Sequence, residues 1–517
     1  MTAGEAHGSH MTAEERRLRG DVKPAKVLTV FTLVMITTGI ITSIHNAPSL
    51  AEFGFSLVFI YLVVAVVFLL PSALISAELA TGWPADGGVY VWVREAFGDR
   101  WGFVAVWQQW AENAIWFPSI LSVVVITVAY AWDPNLQNNK WYVFIGVNVV
   151  FWALTLLNLY GMRTSAAIAT VGTLLGRVFP ILFITALAVA FVTRGDQSQI
   201  EFSASTFLPN FGDTSALVFI IAAFLTFAGI EASANEAAAA KNPRRDYPIA
   251  IMVSAGIALV LVTLVALSLA VVVPKQDISL VAGFMQAVEK MLNVFQIGWL
   301  LPVAAIIIAV GMLGEINNWI PAPTRGLFVA ARHGNLPPTF HSVNRRGVHY
   351  AILVGQGLFV TFFSTLTLLF QIQSAYWILT VLPTQLYLIM YFLMFAAGVK
   401  LRYSHPEVPR RYRIPLKNFG IWALATIGCL AGIAAIVVAF VPPETMQPSE
   451  RRAFYLVEFI GFGALFALPI LIHVLRRPSW KIDDEDDPEP TADSAVSGAA
   501  GSDVTGDTTS DATGVEP

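Results

Sequence analysis

Four acidic residues lie inside or close to long apolar stretches of this sequence: Glu112, Glu231, Glu236 and Glu315. A charged side chain at the centre of a lipid bilayer costs at least ~2.5–3.5 kcal/mol, so an acid in such a stretch is by default a functional candidate. Each carboxyl group could bind a cation, exchange a proton or brace neighbouring helices. The chemistry that these residues indicate is ligand binding and proton exchange.

Two of the acids have neighbours that suggest a role. Glu315 precedes Trp319 by four residues, so the two share a helix face, and we expect a coupling or binding role for Glu315. Glu112 falls on one helical stripe with Gln109 and Trp116. For Glu112, substrate binding and a purely structural polar cluster are equally good interpretations.

The remaining charged candidates have simpler alternatives. We expect Glu231 to brace an interrupted helix, and Glu236 to form an interfacial ion pair with Lys241. Arg177 is protonated at any working pH and could take the place of a bound sodium ion, although extension of its side chain toward the membrane surface is slightly favoured. His45 could titrate near neutral pH, but the preferred interpretation is an interfacial polar residue.

Two apolar segments contain small and polar residues where a spanning helix should be continuous. The first carries TTGIITS at 37–43 and the sixth carries TFAGIEAS at 226–233. Lipid offers no hydrogen bonds, so a broken helix is tolerated only where its freed peptide groups line a cavity, and paired breaks indicate a substrate site. A glycine at either break has close helix packing as its alternative. The candidate substrate-binding residues at the breaks are Thr37, Thr38, Gly39, Ile40, Thr42, Phe227, Ala228, Gly229 and Ile230.

The composition places these residues in an all-α integral membrane protein. The chain has 517 residues, of which 56% are hydrophobic and only 13% charged, whereas about a quarter are charged in soluble domains. A spanning helix needs ~20 apolar residues. The twelve segments that meet this need are 27–48, 56–79, 101–131, 141–160, 165–193, 214–239, 248–273, 299–322, 348–369, 374–399, 419–441 and 453–475.

Short loops join these segments, which predicts one transport domain over 27–475 between an N-terminal tail at 1–26 and a C-terminal tail at 476–517. If both termini are cytoplasmic, 24 basic residues lie inside and 6 outside, as the positive-inside rule requires. The two breaks are then five spans apart in opposite orientations. This arrangement predicts inverted repeats at about 27–193 and 214–399, followed by helices 11 and 12 within 419–475.

Other features limit the function further. Residues 482–517 hold eleven acidic and no basic side chains, and we expect a disordered acidic tail. The single cysteine, Cys429, excludes an internal disulfide, and no nucleotide-binding loop, metal-ligand spacing or nucleophile–base motif is present. We therefore expect no enzyme activity and no cofactor. The expected partners are an amino acid as the small-molecule substrate, the lipid bilayer and protons, without nucleic acid.

Several motifs together resemble one known family. They are GFSLVF (54–59), AELAT (77–81), GGVYVWV (87–93), RWGF (100–103), GIEASANE (229–236), NPRRDYPIA (242–250) and GEINNWIPAPTRGL (314–327). Over about 27–475 the chain resembles the bacterial glutamate/GABA antiporter family of the amino acid–polyamine–organocation superfamily. The resemblance implies a LeuT-like fold with a 5+5 inverted repeat and broken helices 1 and 6, alternating access, and sodium-independent exchange or proton-linked uptake. It also implies that Glu315 and Trp319 belong to helix 8, and that Tyr387 lies near the substrate path on helix 10.

The sequence also departs from that family. The acidic C-terminal tail replaces the basic plug of acid-resistance members, and Glu112 would repel a second substrate carboxylate unless it were protonated. We expect an amino-acid antiporter of the bacterial cytoplasmic membrane. The alternatives are a proton-coupled symporter for neutral or cationic amino acids and, remotely, a nontransporting sensor.

Overall fold

In the described part of the computed structural model, all regular elements are helices. The structure describes residues 28–84, 87–160, 173–210, 218–233, 241–344, 346–444 and 446–481, without the side chains of residues 175, 176, 243 and 244. The predicted N-terminal tail, residues 482–517 of the predicted C-terminal tail, and Glu236 lie outside the described residues.

The described residues form eighteen α-helical segments, several of them joined or interrupted by short 3₁₀ or π turns. They are α1 (Val30–Ile41), α2 (Ala47–Ala51), α3 (Gly54–Gly82), α4 (Val89–Phe97), α5 (Asp99–Ala129), α6 (Lys140–Leu159), α7 (Phe179–Thr193), α8 (Ala204–Phe207), α9 (Ile220–Phe227), α10 (Pro243–Val272), α11 (Gly283–Val294), α12 (Leu301–Trp319), α13 (Ala322–Ala330), α14 (Tyr350–Ser364), α15 (Leu366–Leu369), α16 (Ile372–Ser404), α17 (Lys417–Ala439) and α18 (Pro448–Leu475).

The membrane-spanning prediction agrees with these lengths. In the described part of the chain, nine helical stretches are long and apolar enough to cross a bilayer, and three shorter apolar helices correspond to α1, α7 and α9. All twelve predicted segments thus contain an apolar helix. The number of helices that actually span the bilayer stays a prediction.

The core of the molecule is built around α5 and α16. Their apolar windows are 94% and 83% buried, whereas those of α17 and α18 are only 28% and 17% buried. An apolar helix that buries little of its surface inside the protein presents the rest to lipid. The helices at the centre, α5 and α16, therefore hold the interrupted helices in place, and α17 and α18 form the periphery.

The first break lies further along the chain than predicted. α1 is continuous through Thr37, Thr38, Gly39 and Ile40, so the prediction that these four residues are unwound is wrong. The chain leaves the helix after Ile41 and becomes helical again at Ala47, which places the break at residues 42–46.

Proline chemistry explains this position. Pro48 is in the first turn of α2, and it has no N–H for the carbonyl of Ile44, with which its ring would also clash in a continuous helix. Gly39 has the packing role that glycine often has in spanning helices. A Cβ added to Gly39 would lie 2.4 Å from Thr173 Oγ1.

The second break agrees with the prediction. α9 ends at Phe227, Ala228 is extended with φ −73° and ψ 154°, and Gly229 has φ +97°. That φ is strained for a residue with a Cβ, so glycine is the residue that permits this turn. A short 3₁₀ turn follows over 230–233.

Two amphipathic helices lie across the ends of the bundle. One of them is α11, and a Cβ added to Gly283 at its start would lie 3.0 Å from Pro48 Cβ. α11 therefore covers α2 directly. The other is α4.

A buried ion cluster ties α3 to α16 at their shared end. Arg402 donates from Nε to Glu78 Oε1 at 2.7 Å and from Nη2 to Oε2 at 2.5 Å. The Ile414 amide donates to the same Oε2 at 2.9 Å. Paired and fully hydrogen-bonded charges can be buried without a large net loss of stability, so this cluster fixes the ends of the two helices.

Candidate substrate site

A narrow cavity lies between the two breaks and is walled by α5, α12 and α16. Seven of the residues singled out from the sequence line it: Ile40, His45, Glu112, Ala228, Glu315, Trp319 and Tyr387. The other candidates lie behind this wall or at its edge. These are Thr37, Thr38, Gly39, Thr42, Arg177, Phe227, Gly229, Ile230 and Glu231.

Arg177 lies beside the first break, next to the cavity-lining Glu315. Its Nη1 donates to the freed carbonyl of Thr42, and its Nη2 forms an ion pair with Glu315. Arg177 is only 3% exposed, so the favoured interpretation, in which its side chain extends to the membrane surface, is wrong. The guanidinium instead links the broken helix to α12 and neutralises one buried acid.

Glu231 is fully engaged by donors from two helices. Gln109 Nε2 donates to Oε1 at 2.9 Å, the Tyr387 hydroxyl donates to the same oxygen at 2.7 Å, and the Tyr391 hydroxyl donates to Oε2. The Tyr391 hydroxyl oxygen also accepts the Gly229 amide at 2.7 Å. Glu231 therefore braces the second break from behind.

This network includes a residue that the sequence analysis missed. Tyr391 stands four residues after Tyr387 on α16, a spacing that places both on one helix face. The four-residue spacing from Tyr387 was the signal in the sequence that could have pointed to Tyr391. It shows a shared face but cannot show that both hydroxyls reach the same carboxylate.

His45 lies inside the first break and not at the membrane interface, so the preferred interpretation of it is wrong. Trp116 Nε1 donates to His45 Nε2 at 3.2 Å, and His45 Nδ1 lies 2.6 Å from Ser43 Oγ. Because Nε2 accepts from tryptophan, the neutral ring carries its hydrogen on Nδ1. The His45 carbonyl also accepts from the Tyr376 hydroxyl at 2.9 Å, so α5 and α16 both hold the unwound segment.

Two tryptophans form apolar walls of the cavity. Trp116 and Trp319 meet edge to face with ring centroids 6.1 Å apart. A Cβ added to Gly229 would lie 2.7 Å from Trp319 Cη2. Only a glycine at the second break lets the Trp319 ring approach this closely. Phe227, by contrast, packs against Tyr61 at 5.5 Å between ring centroids.

Polar groups with unused hydrogen-bonding capacity also face the cavity. Among the described residues, Asn46 Nδ2, Asn113 Oδ1 and Glu112 Oε2 are buried without a hydrogen-bond partner. The sequence analysis did not single out Asn46 or Asn113. Nothing in the local sequence distinguishes these asparagines, because their position depends on how three helices meet.

Two opposed broken helices around a closed polar cavity define a secondary transporter of the broken-helix class. The family model for amino acid permeases matches residues 28–465. The chain belongs to the amino acid permease family.

Individual relatives agree with this assignment. The chain is 40% identical to an uncharacterized transporter of Legionella pneumophila over 81% of this chain and 90% of the relative. It is 31% identical to a glutamate/gamma-aminobutyrate antiporter of Lactococcus lactis over 87% of this chain and 91% of the relative. The crystal structure of MhsT in complex with L-phenylalanine matches with a TM-score of 0.57 at 12% identity, over 80% of this chain and 99% of that chain. That structural match shows a shared LeuT-like fold.

Proposed function

We propose that this protein is a sodium-independent amino-acid antiporter that works by alternating access. The observation that carries the proposal is the polar cavity between two helix breaks, in which the lining residue Glu315 is paired with Arg177. The relative from Lactococcus lactis is named a glutamate/gamma-aminobutyrate antiporter, which supports exchange as the transport mode.

The broken helix 1 offers the groups that would hold the α-carboxylate. Asn46 Nδ2 is a buried donor without a partner in the described structure, and it lines the cavity. The Gly229 amide, by contrast, is bonded to Tyr391, so it is not free in this conformation. We therefore assign carboxylate binding to the segment 43–46 and carbonyl oxygens near Ala228 to the substrate ammonium.

Arg177 supports independence from sodium. A half-helix that ends at a break leaves carbonyl oxygens that attract a cation. Here the Thr42 carbonyl already accepts from the guanidinium, and Glu315 is paired with the same group. A permanent positive charge thus stands where a transported cation would otherwise be needed.

The second candidate function is proton-coupled symport. The observation that favours it is Glu112, a cavity-lining acid with an oxygen that has no hydrogen-bond partner among the described residues. A proton taken up there would move with the substrate. Under this alternative, an imposed pH gradient drives uptake into vesicles that contain no amino acid.

The experiment is counterflow in proteoliposomes made with the purified protein. Vesicles are loaded with a panel of unlabelled amino acids, and entry of labelled amino acids is measured in sodium and in choline buffer. We expect internal amino acid to accelerate entry equally in both buffers. If no internal amino acid accelerates any labelled amino acid, the antiporter proposal fails, and if only sodium supports entry, the role given to Arg177 fails.

A further inference from the structure

The three acids around the cavity differ in how far their hydrogen-bonding needs are met. Glu315 is paired with Arg177, and Glu231 accepts three hydrogen bonds from Gln109 and two tyrosines. Glu112 is equally buried, at 2% exposed, but its Oε2 has no partner among the described residues. Glu112 is therefore the acid in this site with unused acceptor capacity.

No side chain of the described residues donates to Glu112 Oε2. Trp116 gives its indole N–H to His45, and the Tyr387 hydroxyl is given to Glu231. No lysine or arginine is among the residues that line the cavity in the described part of the chain. Arg177 is already committed to Glu315 and to a peptide carbonyl. In the described structure Glu112 Oε2 is thus left for a donor that a ligand can supply.

The charge balance of the cavity indicates what kind of ligand brings that donor. Formally, three carboxylates face one guanidinium, and Glu231 lies within electrostatic range of Glu112. An isolated buried carboxylate is strongly disfavoured unless it is paired and hydrogen-bonded. A cationic nitrogen that reaches Glu112 brings both a positive charge and the missing hydrogen-bond donor, whereas a carboxylate at that place would be repelled and could donate no hydrogen bond.

We propose that Glu112 is the specificity-determining residue of this transporter, and that it binds an ammonium or guanidinium group that is remote from the carboxylate of the substrate. Basic amino acids and ω-amino acids have this chemistry. Asn46 takes the carboxylate end of such a substrate. The apolar faces of Trp116 and Trp319 line the space for the methylene groups between. This inference rests on the proposed function, since it needs the substrate in this cavity.

The test compares substrate classes in the same proteoliposomes. Labelled ornithine, γ-aminobutyrate, leucine and glutamate are used for counterflow with the intact protein and with Glu112→Gln. We expect ornithine or γ-aminobutyrate to exchange at least tenfold faster than leucine or glutamate in the intact protein. Glu112→Gln should reduce that amine exchange at least tenfold while leucine changes less than twofold.

Glu458 supplies the matched control. It is a fully buried acid of α18 whose two oxygens have no partner among the described residues, and it does not line the cavity. Glu458→Gln removes the same charge from a spanning helix and should leave the ratio between amine and leucine exchange unchanged. If it lowers that ratio as much as Glu112→Gln does, loss of any buried acid explains the effect and the inference is overturned.

Ligand-induced thermal stabilisation in detergent separates binding from transport. Ornithine or γ-aminobutyrate should raise the melting temperature of the intact protein but not that of a folded Glu112→Gln variant. Amine exchange or amine-induced stabilisation that survives in Glu112→Gln overturns the inference, as does a preference of the intact protein for glutamate. If the protein exchanges leucine or glutamate but neither ornithine nor γ-aminobutyrate, only this inference is refuted. If it exchanges none of these compounds and no other amino acid, the proposed function is refuted.

Discussion

Arg177 and Glu315 form a buried ion pair whose two members depend on each other. Removing one partner of such a pair leaves an uncompensated charge and typically costs about 3–5 kcal/mol. We expect Arg177→Met or Glu315→Gln to lower the free energy of unfolding in detergent by about this amount. The loss is measured as a lower melting temperature. The double variant Arg177→Met/Glu315→Gln should lose less than the sum of the two, because neither charge is then left alone.

An exposed arginine provides the control for this cycle. Arg452 lies near the start of α18 and is exposed, where substitutions usually change stability by less than about 0.5 kcal/mol. The Arg452→Met variant should therefore have the same melting temperature as the intact protein. Strictly additive losses in the double variant would mean that Arg177 and Glu315 are not coupled.

At the scale of secondary-structure elements, the second break depends on one backbone conformation. Gly229→Ala places a Cβ at φ +97° and 2.7 Å from the Trp319 ring. A backbone strained in this way costs about 1–3 kcal/mol, so we expect exchange to fall at least tenfold in proteoliposomes. Gly256→Ala is the control, because an added Cβ there meets nothing within 4 Å. Equal exchange by both variants would show that the break tolerates a side chain.

The contact between α11 and α2 is a second element-scale feature. We propose that substrate entry from this side needs α11 to move away from α2, because Gly283 and Pro48 are in contact. Cysteines at these positions would have their Cβ atoms near the 3.5–4.5 Å that a disulfide needs. In a Cys429→Ser background, we expect oxidation of Pro48→Cys/Gly283→Cys to stop exchange and a reductant to restore it. The two single-cysteine variants control for loss of proline or glycine, and undiminished exchange by the cross-linked protein would exclude this movement.

At the scale of the whole molecule, the distribution of basic residues predicts the orientation in the membrane. The predicted cytoplasmic side holds 24 lysines and arginines and the other side 6, so we propose that both termini are cytoplasmic. In a Cys429→Ser background, a membrane-impermeant maleimide should label Asn138→Cys in intact cells. Ser404→Cys should be labelled only after permeabilisation. The reverse labelling pattern would refute the proposed orientation.

The sequence by itself determined the class of fold and the second break. Twelve apolar stretches require helices because lipid cannot satisfy an open backbone. The glycine of GIEASANE marked the position where the turn needs a positive φ. These features depend on local composition and backbone chemistry, so they can be read from one segment at a time. Pro48 was also a sequence signal for the position of the first break. The prediction relied instead on the polar and small residues of TTGIITS, and it therefore placed the break about one helical turn too early.

Only the tertiary structure decided which buried charges meet. Arg177 and Glu315 are far apart in sequence, as are Glu231 and Tyr391, and His45 and Trp116. Periodicity shows which face of a helix a side chain occupies, but not which helix lies opposite. The same limit applies to Glu112, whose sequence fits a structural cluster as well as a binding site. Its unused oxygen is visible only in the tertiary structure, in which no side chain of the described residues donates to it.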